Sequence, residues 1–63
     1  MLIIGYRGNV DWRGVREAIR RNTELKVDEA TELTAKIKQG HTVKLDEDFV
    51  LREKLEDLGL LLK

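Results

Sequence analysis

The apolar residues of this chain recur with two different periods, which predict short strands and amphipathic helices. The run 2–6 is almost entirely apolar and rich in strand-forming residues, and turn-forming residues follow it at 7–9. Residues 42–45 alternate between polar and apolar side chains, and the chain closes with three leucines and a lysine. We therefore predict strands at 2–6, 42–45 and 60–63.

Between these strands, apolar residues spaced three and four positions apart predict three helices, at 12–21, 27–39 and 47–58. Only residues 23–26 connect the first two helices, so we expect these helices to form an antiparallel hairpin.

The predicted helix ends carry recognisable capping residues. Asp11 and Asp46 precede the first and third helices, where a short acidic side chain commonly caps a helix. Gly40 and Gly59 follow the second and third helices, where glycine commonly ends them. Asn22 is expected to end the first helix in a left-handed conformation.

These elements predict an α+β protein in which a single domain spans 1–63 in the order β-α-α-β-α-β. Three helices are expected to cover one face of a three-stranded sheet. Alternation along the strands decides which side chains point towards the helices. Those side chains are expected to be Leu2, Ile4, Tyr6, Val43, Leu45, Leu60 and Leu62. Ile3 and Leu61 are then expected on the open face of the sheet.

The composition excludes most kinds of chemical site. The 63 residues include no cysteine and one histidine, so a disulfide and a cysteine or histidine metal cluster are excluded. Serine is also absent, and a domain this small buries only about 60% of its unfolded surface, which argues against a deep catalytic cleft. We expect no catalytic residue, no cofactor and no metal, and we predict that the protein is not an enzyme.

The hydropathy of the chain indicates in which cellular compartment the protein is expected. No apolar run approaches the roughly 20 residues of a membrane-spanning helix, and no basic segment precedes the apolar start of the chain as in a signal peptide. We therefore expect a cytoplasmic protein with no membrane partner.

Charge is balanced over the whole chain but not along it. The 12 basic and 12 acidic groups cancel, which argues against a general binder of polyanions. Residues 1–26 hold six basic and three acidic groups, whereas residues 27–63 hold six basic and nine acidic groups. The molecule is therefore expected to have a positive half, composed mostly of arginine, and a negative half.

Three of these arginines provide the candidate partner-binding surface. Arg13, Arg16 and Arg20 lie within about 60° of one another on the first helix, at 100° per residue. Arginine makes paired hydrogen bonds to carboxylates and phosphates, and Trp12 at the first turn is a residue type common at binding hot spots. Alternatively, the arginines form a solvated helix face with Glu17 as a local partner, and Trp12 anchors the core.

Three apolar residues are candidates for a secondary contact: Ile3, Phe49 and Leu61. Phe49 lies almost opposite the apolar stripe of the third helix, so either the helix begins later and Phe49 folds back on the loop, which we prefer, or Phe49 is exposed. Ile3 and Leu61, if they lie on the open sheet face, are either isolated surface residues or the patch of a homodimer or partner contact.

The stretch 17–33, together with Leu51, Leu55, Gly59 and Lys63, resembles the C-terminal domain of the bacterial ribosomal stalk protein. The resemblance extends over nearly the whole chain and implies the same fold, which the Clp protease adaptor for N-degrons also uses. In the stalk family the first two helices recruit translational GTPases through basic and apolar side chains.

The match to the stalk family is partial on that contact surface. Arg20 falls on a basic position of the family, whereas Glu17 and Thr31 stand where the family has lysines. Arg13 and Arg16 stand where the family has valine and isoleucine. The resemblance therefore implies a shared scaffold with a different contact surface.

These observations together predict a small protein-binding module, an adaptor or inhibitor, that engages an acidic surface of a partner protein through the arginine-rich face. Two alternatives are a translation-associated domain that contacts ribosomal GTPases and a small regulator that binds nucleic acid. We regard nucleic acid as the weaker partner hypothesis because the net charge is zero and only one of the three aromatic residues lies on the first helix.

Overall fold

The chain forms three helices and three short strands in the predicted order. The computed structural model describes all 63 residues. The elements are β1 (Leu2–Tyr6), α1 (Trp12–Asn22), α2 (Val27–Lys38), β2 (Val43–Lys44), α3 (Phe49–Asp57) and β3 (Leu60–Leu62). The predicted α+β class, element order and layering are confirmed.

The sheet is antiparallel, with β1 between its two partners in the order β2-β1-β3. The two ends of the chain meet here, since Leu2 and Lys63 exchange backbone hydrogen bonds of 3.1 and 2.8 Å. At the other end of β1, the backbone N–H of Arg7 donates to the Gly59 carbonyl over 2.9 Å. The central strand thus joins segments that are far apart in sequence.

The predicted alternation of β1 is wrong, because Ile3 and not Ile4 points into the core. Ile3 pairs with Val43 on one side and Leu62 on the other, and its side chain has no exposed surface. Ile4 is 47% exposed on the opposite face. Every residue of Leu2–Ile4 is apolar, so the sequence pattern contains no signal that distinguishes the two registers.

A β-bulge then restores the predicted side for Tyr6. Ile3 pairs with Leu62 but Gly5 pairs with Leu61, so β1 contains one extra residue at this point. The Tyr6 side chain accordingly lies on the helical side of the sheet, where its hydroxyl donates to the Lys38 carbonyl over 2.9 Å.

The three helices form one layer on the sheet, with α1 in the middle. Helix α1 contacts both α2 and α3, whereas α2 and α3 do not contact each other. All three helices contribute to one core, whose buried apolar residues are Ile3, Val15, Ala18, Ile19, Ala30, Ile37, Val43, Leu51, Leu55 and Leu60. Leu45 and Leu62 pack against its edge.

The helix ends agree only in part with the prediction. Asp11 caps α1 as expected, because its carboxylate accepts from the Gly14 N–H over 3.0 Å. Gly40 and Gly59 have the positive φ angles that end a helix, 92° and 100°. Asn22 does not adopt a left-handed conformation; it is the last helical residue, and its amide donates to the Ala18 carbonyl over 2.8 Å.

The start of α3 differs from the prediction because Asp48, rather than Asp46, caps the helix by accepting from the Leu51 N–H over 3.0 Å. Glu47 bonds instead to Arg52 over 2.8 Å and approaches the terminal amine of Met1 to 3.2 Å. The hydrogen bond from Arg52 and then that from the amine lower the pKa of Glu47 to about 2. These contacts join the start of α3 to the start of β1.

We expect the substitution Leu55→Ala to lower the free energy of unfolding by about 2–5 kcal/mol, since Leu55 is fully buried between α3 and the sheet. Phe49→Ala on the same helix is the control, because Phe49 is 77% exposed and its loss leaves no cavity. Urea unfolding of both variants measures the difference. Equal midpoints for Leu55→Ala and the native chain would show that this core assignment is wrong.

A glycine in the first turn of α1 allows a close approach between α1 and the end of α3. A Cβ atom added at Gly14 would lie 2.8 Å from Oδ2 of Asp11 and 3.2 Å from Cδ2 of Leu58. The first of these distances is a clash with the carboxylate that caps the helix.

We therefore expect Gly14→Ala to carry a penalty that offsets the gain of about 1 kcal/mol that alanine normally gives over glycine in a helix. The added methyl group displaces the Asp11 carboxylate, and loss of a cap costs about 0.5–2 kcal/mol. Thermal unfolding of Gly14→Ala, Asp11→Ala and the double variant, as a double-mutant cycle, tests whether displacement of the Asp11 carboxylate is the cause. In the Asp11→Ala background the penalty of Gly14→Ala is expected to shrink, and an unchanged penalty would assign the clash to Leu58 instead.

Candidate functional site

A shallow groove runs between α1 and α2 on the outside of the helical layer. Three large residues from the first half of α1 form one wall, and small residues of α2 form the other. The lining residues are Trp12, Arg13, Arg16, Thr31, Thr34 and Ala35. The structure therefore brings three of the four predicted partner-binding residues to one place.

Helical spacing explains both walls. On α1, Val15 and Ile19 point into the core, which places Arg13 and Arg16 on the outer side next to α2. On α2, Thr34 is buried while Thr31 and Ala35, one turn apart, are exposed beside it. These small side chains leave space beside the larger residues of α1.

The α2 wall was not identified from the sequence. Threonine and alanine at positions 31, 34 and 35 have the spacing of one helical face, and this is a signal that the sequence does contain. Their small size is informative only once α1 is known to lie next to them.

Arg13 and Arg16 form no ion pair, although the charge of Arg16 contributes to the lowered pKa of Glu17. The Nε atom of Arg16 is buried and makes no hydrogen bond. A buried donor without an acceptor is costly, but a ligand in the groove meets Arg16 at the terminal nitrogens of its guanidinium unless the side chain moves.

Arg20, the third predicted arginine, is engaged differently. Its Nε donates to Oε2 of Glu17 over 2.9 Å, and both side chains are about one-third exposed. That hydrogen bond lowers the pKa of the Glu17 carboxyl below its usual value and raises the pKa of Arg20. Arg20 is thus locally paired with Glu17, as the alternative expects, whereas Arg13 and Arg16 form no ion pair.

The two threonines of the groove have already used their hydroxyl hydrogens within α2, so only the arginines add charged donors to it. The hydroxyl of Thr31 donates to the Val27 carbonyl over 2.8 Å, and that of Thr34 donates to the Ala30 carbonyl over 2.7 Å. The charged donors of the groove are the guanidinium groups of Arg13 and Arg16. A ligand with acceptor oxygens and negative charge fits this set.

Trp12 is held in place by its neighbours. Its ring is half-buried against the core and meets the Tyr6 ring edge-on, with centroids 4.7 Å apart. Tyr6 is in turn fixed by its hydrogen bond to the end of α2. Trp12 is therefore both a core anchor and one end of the groove.

The three residues predicted as secondary contacts lie in three separate places. Ile3 is in the core, so its prediction as a surface contact is wrong. Leu61 is half-buried on the open sheet face beside Ile4. Phe49 is the first residue of α3 and is 77% exposed, so it does not fold back on the loop as we preferred; the alternative of exposure is correct.

The largest hollow of the surface lies elsewhere, between the α1–α2 turn and the segment before α3. Several of its carboxylates are already engaged: Glu29 accepts from the Lys26 N–H, Asp48 caps α3, and Glu47 pairs with Arg52. No three histidine or acidic side chains lie close enough together to hold a metal ion. The α1–α2 groove is therefore the better candidate site.

Comparison with known proteins adds no further assignment. The chain matches no protein-family model, no curated protein and no solved structure. The resemblance to the ribosomal stalk domain therefore stays a prediction. None of the three helices is both long and apolar enough to span a membrane.

The Glu17–Arg20 pair leads to a prediction that NMR can test. In a carboxyl titration, we expect Arg20→Gln to raise the pKa of Glu17, because the largest cause of its low value is the hydrogen bond from Arg20. Arg21→Gln removes an equal charge without a hydrogen bond and is expected to raise the pKa less. Equal shifts in both variants would mean that the hydrogen bond is absent in solution.

Proposed function

We propose that the protein is a protein-binding module that captures an acidic segment of a partner protein in the α1–α2 groove. The single observation that carries this proposal is the presence of Arg13 and Arg16, which form no ion pair, in a groove without an acidic lining residue. A carboxylate supplies the charge and the acceptors that this site lacks.

The charge around the groove favours a protein over a nucleic acid. Nucleic acid presents a continuous line of phosphates, which a binding protein normally meets with an extended basic surface. Here the neighbouring helix α3 presents Glu53, Glu56 and Asp57, which are exposed and take part in no ion pair. These carboxylates would repel a long polyanion but not a short acidic segment.

Trp12 gives the groove an apolar component. Tryptophan and arginine are the residue types most often found at the energetic centre of a protein interface. A segment that combines acidic and apolar residues could therefore contact both the guanidinium groups and the indole ring. Such a module acts as an adaptor or inhibitor by occupying the segment, without chemistry of its own.

The experiment uses Trp12, the only tryptophan, as a fluorescent reporter within the groove. The probes are short peptides that combine glutamate with leucine, each matched with a peptide in which glutamine replaces glutamate. We expect the acidic peptides to change the Trp12 emission and the glutamine peptides to have little effect. Duplex DNA of random sequence is the competing probe.

We expect the double substitution Arg13→Glu and Arg16→Glu to abolish binding of the acidic peptides, since each interfacial arginine removed from its partner costs about 2–5 kcal/mol. Arg21→Glu is the control. It reverses the charge of an arginine on the same helix, but Arg21 lies on the other side of α1, beside α3. Circular dichroism should show an unchanged fold in both variants.

Two results would overturn the proposal. Acidic peptides that bind the double variant as tightly as the native chain would place the site outside the groove. Tight binding of random duplex, with a steep dependence on salt, would instead favour the nucleic-acid regulator.

A further inference from the structure

Helix α3 presents a surface whose properties are opposite to those of the groove. We define the acidic α3 face as the exposed residues Phe49, Val50, Glu53, Glu56 and Asp57. They lie within about 120° of one another at 100° per residue. Phe49 and Val50 are 77% and 51% exposed, so these two apolar side chains face solvent and not the core.

The carboxylates of this face are only partly balanced by basic groups of the chain, since Glu56 is close enough to Arg52 to help raise the pKa of Arg52. None of its three acidic residues takes part in an ion pair. An exposed phenylalanine at the start of a helix face that continues with three carboxylates suits a partner surface that is basic and offers an aromatic or apolar contact.

The α1–α2 groove of this same protein is such a surface. It offers two unpaired arginines and the Trp12 ring, and it lacks acidic lining residues. We propose that a second copy of the chain is the occupant: the acidic α3 face of one copy docks on the α1–α2 groove of the other.

The position of the two surfaces allows a closed dimer. The two surfaces are formed on neighbouring parts of the molecule, because α1 contacts both α2 and α3. A two-fold axis between them places each groove on the α3 of the other copy, so a single dimer contains the contact twice. The zero net charge of the chain means that no long-range repulsion keeps two copies apart.

The dimer has a consequence for the proposed function, because it covers the groove that would receive an acidic segment. The dimer uses the same groove as the proposed function, but the dimer can form whether or not an external partner exists. A variant altered at Phe49, which lies outside the groove, separates the two ideas: it loses self-association and keeps an open groove.

Sedimentation equilibrium at low salt, from micromolar to millimolar concentration, is the primary measurement. We expect the native chain to form a dimer whose dissociation constant rises about tenfold or more at high salt, as the charges are screened. Phe49→Ser should weaken the dimer strongly while the circular dichroism spectrum is unchanged, because Phe49 contributes nothing to the core. Lys44→Glu is the control of the same charge reversal and should leave the dimer intact, because Lys44 is an exposed residue of β2 outside both surfaces.

Exchange of the charges gives the sharpest test. One variant has Arg13→Glu with Arg16→Glu, and the other has Glu53→Lys with Glu56→Lys. Each alone sets like charges against each other and should be monomeric, whereas an equal mixture should form a heterodimer in which both contacts are again complementary.

Two outcomes would overturn the inference. A native chain that stays monomeric to millimolar concentration shows that the two surfaces do not associate. A dimer that survives in Phe49→Ser and in both charge variants shows that association runs through another surface, with the open sheet face of Ile4 and Leu61 as the alternative.

Discussion

The burial of one side of α1 is the constraint on which the rest of this structure depends. Val15, Ala18 and Ile19 are buried together, so the helix is in contact with α2, α3 and the core at once. Such a central helix has only its outer side left for solvent. In this chain that outer side contains arginine, and the glycine at position 14 allows α3 to approach the first turn closely.

The same constraint produces the candidate site. Because α1 is packed on both flanks, each of its polar residues has a defined neighbour. Arg20 meets Glu17 on its own helix, and Arg21 lies beside α3. Arg13 and Arg16 lie beside small residues of α2 that provide no counter-charge. A cluster of three arginines in the sequence is thus divided into one internally paired residue and two that form no ion pair.

The charge of the molecule is distributed in a way that connects the two proposals. The basic outer side of α1 and the acidic outer side of α3 share one helical layer, and their charges are not paired with each other. A surface of this kind can meet an acidic partner at one helix and a basic partner at the next. A second copy of the chain offers both, so self-association and partner capture would compete for the same groove.

The sequence by itself determined the element order, the layering and the caps at Asp11, Gly40 and Gly59, because these depend on local spacing and on residues with strong backbone preferences. Only the tertiary structure decided the side that each residue of β1 faces. Consecutive apolar residues fit either register, and the choice is made by Val43 and Leu62, which pair with Ile3 from distant parts of the chain. The tertiary structure also decided which arginine is paired and which lines the groove, because both depend on the side chains that the fold brings together.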